Sequence, residues 1–195
     1  MIFKHRAILL CACLMALAAC TQLTPAGLLA AARLDPLRTP PDQIVIALSV
    51  PQEVQLSDGD AVIQIVFSED GREPIDVTAP LTLRPGDGTA PPPDGLGQKV
   101  YVAEVEPAGA ARFAAAQTEI LQRREAGAEG KGSLRVTVRG GCHTGPPLEA
   151  FPLSTWLRTR GDTRFVRLTR RADVFEIWPG GRDGLLECAE RAPAQ

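Results

Sequence analysis

Residues 44–50 read IVIALSV and residues 61–67 read AVIQIVF. In the first run Ile44, Ile46, Leu48 and Val50 alternate with Val45, Ala47 and Ser49, a period of two with apolar side chains on both faces. That is the pattern of a strand buried from both sides. Gln64 is the one polar interruption of the second run. Further strands follow outward from these two. Residues 99–105 (KVYVAEV) make one, and residues 133–139 (SLRVTVR) alternate with Leu134, Val136 and Val138 inward and Arg135, Thr137 and Arg139 outward. A weaker run over residues 75–83 contains Pro80, which lacks a ladder donor and so places this strand at an edge. Residues 151–160, 163–170 and 173–178 complete the set.

One segment breaks the rule. Residues 107–126 (PAGAARFAAAQTEILQRREA) carry Ala110, Phe113, Gln117, Ile120 and Leu121 on one helical face. Pro107 suits the first turn and Gly127 the stop. Five Asp-Gly pairs, at 58, 70, 87, 94 and 183, supply turns in a chain that has no Asn. The stretch 84–98 (RPGDGTAPPPDGLGQ) is too rich in Pro and Gly to pack and reads as a mobile loop. The expected fold is therefore mainly β: an antiparallel β-sandwich of about seven or eight strands with one helix near 107–126. The immunoglobulin-like arrangement is the commonest of this kind, although its tryptophan–disulfide signature is missing.

The chain has 195 residues, 45% of them apolar and 23% charged, which excludes a disordered, fibrous or polytopic membrane protein. A net charge of −2 leaves no electrostatic footprint for nucleic acid. Eighteen of the 21 basic residues are Arg, in keeping with a GC-rich genome.

The N-terminus reads as an address. Lys4 and Arg6 precede AILLCACLMALAA, an uncharged run of 13 residues over 7–19. Such a run suits a signal h-region but is short of the roughly 18–20 residues a spanning helix needs. It ends in Leu17-Ala18-Ala19-Cys20. This junction resembles the lipobox of bacterial lipoproteins. The resemblance covers residues 1–20 alone. It implies cleavage of residues 1–19 and a Cys20 that carries diacylglyceryl and N-acyl (palmitate) groups. Thr21 in the second mature position, in place of aspartate, implies the outer membrane, facing the periplasm. Loss of Lys4 and Arg6 leaves 19 basic against 23 acidic residues, near −4. Residues 20–42, with Pro25, Pro36, Pro40 and Pro41, read as a tether, and residues 43–190 as a single domain. A coil of that tether's length spans on the order of 25 Å.

Cys11 and Cys13 depart with the signal and Cys20 takes lipid, which leaves Cys142 and Cys188. In an oxidising compartment they are expected to form a disulfide, closing a loop of about 46 residues worth roughly 4 kcal/mol. The alternative is a reactive thiol beside His143, hindered because adjacent residues of an extended chain point opposite ways. His143 is the one histidine after residue 20 and reads as a loop residue. No catalytic residue, metal site or cofactor is assigned. Ser57-Asp58-Gly59-Asp60 lacks the order of a calcium loop, and Gly130-Lys131-Gly132 lacks the upstream glycine and the Ser or Thr of a phosphate loop, so no nucleotide is expected.

The last hairpin is the most specific feature. Arg160-Gly161-Asp162-Thr163 fits a two-residue type II′ turn. That register pairs Leu157 with Val166 and Thr155 with Leu168 on one face, and Trp156 with Arg167 and Arg158 with Phe165 on the other. The resulting patch of Trp156, Arg158, Phe165 and Arg167 is a candidate interaction surface. Alternatively it packs beneath the helix or a loop, with Arg stems over the rings. The expected function is a non-enzymatic, membrane-anchored interaction or assembly accessory with an envelope protein as partner. A periplasmic small-ligand or glycan module is the alternative, and a carboxylate-based hydrolase a more distant one.

Overall fold

The computed structural model describes residues 35, 37–178 and 180–191; the lipobox and Cys20 lie outside the described residues. The chain is mainly β with one long helix. The strands are β1 (Ile44–Pro51), β2 (Val54–Gln55), β3 (Ala61–Ser68), β4 (Ile75–Pro85), β5 (Gln98–Val105), β6 (Lys131–Val138), β7 (Cys142–His143), β8 (Pro152–Thr159), β9 (Val166–Asp173) and β10 (Leu186–Glu187). The helix α1 (Pro107–Glu125) follows β5. Seven long strands form an antiparallel sheet in the order β6-β3-β4-β5-β1-β8-β9, and the three two-residue strands form a second sheet, β10-β7-β2. Strands as short as β2, β7 and β10 show no periodicity, so nothing in their residues marks them.

All eight residues of β1 are buried, as its two-sided apolar pattern requires. β4 is not an edge strand in this order, contrary to the reading of Pro80. The register explains why Pro80 is tolerated. Residues 75–80 pair with β3, ending at Val62↔Pro80, and residues 81–85 pair with β5, beginning at Leu81↔Val105. Proline sits where the ladder changes partner, so its missing N–H breaks neither one. The three-stranded group β6-β3-β4 and the five-stranded group β4-β5-β1-β8-β9 share one core, with Phe67, Ile63, Leu81, Ile46 and Leu153 from both.

Helix α1 lies against β4 and β3 and buries Phe113, Ala116, Gln117 and Ile120. Gly109 lets it approach closely: a Cβ there would fall 2.9 Å from that of Ala79. Its end is a Schellman motif, with Ala128 N donating to Arg123 O and Gly127 N to Arg124 O, and Gly127 takes the positive φ this requires. The N-terminal approach is docked from Leu37 onward. Leu37 packs on the core, Pro41 is buried, and Gln117 Nε2 donates to Thr39 O at 2.9 Å. The docked chain therefore begins six residues before the expected domain start at residue 43. Residues 174–176 form a 3-10 turn where a last strand was expected, because the Asp173 carboxylate accepts from Phe175 N and turns the chain.

Candidate docking surface on the last hairpin

The expected opposition of Leu157 with Val166 and Trp156 with Arg167 is present. Beyond it β9 is irregular. Thr155 faces Thr169 instead of Leu168, and Leu153 faces Ala172, so β9 carries an additional residue at each of two bulges. At the second, Arg171 has φ 49° and its N–H donates to Ser154 Oγ at 2.9 Å. Bulges re-aim side chains. Residues three apart on an unbroken strand point to opposite faces, yet Arg167 and Arg170 both reach one carboxylate. Arg167 Nη2 lies 2.7 Å and Arg170 Nε 3.9 Å from Asp94.

Asp94 corrects the expectation of a mobile 84–98 loop. Its side chain is 6% exposed, and besides Arg167 it accepts from Ser154 Oγ at 2.7 Å. Its own N–H donates to Ser49 Oγ, which in turn donates to Gln98 Oε1. Polar side chains projecting from buried strands thus peg the loop to the sheet. Gly95 and Leu96 follow the peg; Arg171 Nη1 borders Gly95, and Leu96 is fully exposed.

Trp156 is 5% exposed. The Arg167 guanidinium stacks over its ring at 5.0 Å and Arg158 over Phe165 at 4.9 Å. The patch residues are therefore brought together, but the surface they offer is guanidinium, not indole. The turn differs from the expected type II′: Asp162 N donates to Thr159 O, which makes Arg160 and Gly161 the central residues, and Gly161 has no positive φ. The Asp162 carboxylate explains the shift, since it accepts from Thr159 Oγ1 at 2.7 Å and from Thr159 N. Those two bonds, the hydroxyl one first, hold its pKa below the usual carboxylate range. Arg160 pairs with Glu104 and donates from Nε to Asp42 O at 2.8 Å.

Residues 158–171 hold six arginines (158, 160, 164, 167, 170 and 171) and one acid, Asp162. In a chain of net charge −2 this is a local reversal of sign. β9 ends the sheet order, so its outer backbone is open. Bulges and cations on an edge strand oppose strand addition.

The other features serve the frame. The Cys142 and Cys188 sulfurs are bonded at 2.12 Å, as the cysteine count implies. His143 is not a loop residue: it lies in β7, 7% exposed, with Nδ1 3.1 Å from Gly145 O. It lines a cleft of about 450 Å³ with Glu149, Arg182 and Glu187. Asp58 and Asp60 serve turns and a tail clasp: Asp58 accepts from Leu83 N, while Asp60 accepts from Ser57 N and takes a two-pronged contact from Arg191 at 2.7 Å. Gly130 lies against the Phe67 ring, close packing in place of a phosphate cradle. Among the described residues no group of three or more His, Cys, Asp or Glu is placed to hold a metal ion, and no helix is long and apolar enough to cross a membrane. No family model, curated protein or solved structure matches this chain, so its chemistry is read from its own residues.

Proposed function

We propose that this protein is a non-enzymatic lipoprotein of the bacterial cell envelope, anchored through Cys20 to the outer membrane and facing the periplasm. It acts as a docking accessory: the arginine face of β8 and β9 binds an anionic component of the envelope. The observation that supports this reading is the gathering of Arg167 and Arg170 at a single buried carboxylate, Asp94, with Arg171 beside the adjoining Gly95. The Leu17-Ala18-Ala19-Cys20 junction supports the anchor. Two acyl signals give stable attachment where one gives only marginal binding.

Cys20→Ala tests the anchor. It is expected to abolish palmitate labelling and to release the protein from membranes; continued retention would sink the lipoprotein reading. A small-ligand module has one observation in its favour, an open cleft of about 600 Å³ beside Pro91, Pro92, Pro93 and Tyr101. Saturable binding of a soluble sugar, lost in Tyr101→Ala and kept in Arg170→Gln, would favour that reading instead.

A further inference from the structure

We infer that the anionic component is the phospholipid headgroup layer itself, with Leu96 as an apolar finger beside the arginines of β9. The inference rests on the envelope reading above and names the partner of that same face. A single exposed leucine needs no explanation by itself. This one follows directly on Asp94 and Gly95, which Arg167 holds and Arg171 borders. The Arg170 side chain is 62% exposed, close to the same carboxylate. Cations beside an apolar tip match the boundary between phosphate and acyl chain, where arginine pairs with phosphate and an aliphatic side chain leaves water. An acidic protein partner fits less well. Protein interfaces draw most of their energy from aromatic anchors in pockets, and Trp156 is covered by Arg167. Among the described residues the exposed large apolar side chains are Leu96, Ile177 and Leu186, and Leu96 is the one in the loop that these arginines hold at Asp94 and border at Gly95. Reach is no obstacle: the 15 residues from Cys20 to Asp35 span at most roughly 50 Å when extended.

The test mixes the purified full chain with vesicles of phosphatidylcholine alone or with added phosphatidylglycerol. Partitioning and amide exchange at residues 95–98 and 167–171 are then read. Phosphatidylglycerol is expected to raise partitioning and slow exchange in both segments, and high salt to reverse this. Arg170→Gln with Arg171→Gln is expected to lower the phosphatidylglycerol-dependent partitioning about 25-fold, about fivefold per arginine. Leu96→Ser is expected to weaken it without altering its salt dependence. Equal exchange in the two lipids overturns the inference. So does protection that appears only when an acidic envelope protein is added. Failure of the anchor reading shows separately, as an absence of lipid on Cys20 with the difference between the two vesicle types intact.

Discussion

Asp94 does more than its neighbourhood in the sequence announces. It stands in an Asp-Gly pair within a run of Pro and Gly, where a turn is the natural expectation. Its partners Arg167 and Ser154 lie 73 and 60 residues away, and composition carries no distance. Asp94→Ala leaves the Arg167 guanidinium and the Ser154 hydroxyl without their acceptor. We expect a loss of about 2 kcal/mol in urea unfolding, the range of hydrogen bonds to charged groups. Faster amide exchange over residues 86–97 is expected with it. Other residues were legible for identifiable reasons. The opposition of Trp156 and Arg167 is legible from the alternation of the two strands, although the turn between them closes one residue earlier than Gly161 suggests. Cys142 and Cys188 were paired because no other cysteines follow Cys20. Asp60 and Arg191, 131 residues apart, had no such signal.

At the scale of elements, period two reveals which faces are buried but not which strands are neighbours. The helix and the long strands from β1 to β8 are therefore close to where the sequence puts them, whereas β9 runs three residues later than expected, to Asp173, and takes the place of a separate last strand. The handover in β4 and the bulges in β9 are not visible in the sequence. The hairpin turn shows how one carboxylate sets local geometry. Because the folded pKa of Asp162 is lowered, the support it gives the turn is complete above the ordinary carboxylate value. That support is lost only as pH falls through the lowered value. The Thr159 amide is thus expected to keep its protected NMR shift through mild acid and to lose it below the usual carboxylate range. Asp162→Asn should remove this acid-side transition; an unchanged titration would show that the carboxylate does not hold the turn.

For the whole molecule, the C-terminal run is closed onto the body twice, by the Cys142–Cys188 bond and by the Arg191–Asp60 contact. Cys142→Ser is expected to cost about 4 kcal/mol in urea unfolding, the chain-entropy value for a loop of this length. The same variant should open the cleft that His143 lines, because that cleft lies between the 143–149 segment and residues 182–190. Fold class was legible from patterning because apolar faces must be buried whatever the topology, and the single helix needed only its own period. One consequence of the sheet order concerns force. β1 lies between β5 and β8, antiparallel to both, and receives the N-terminal approach at Ile44. A pull on the N-terminus acts along β1 and loads two ladders in shear at once, instead of peeling hydrogen bonds one by one.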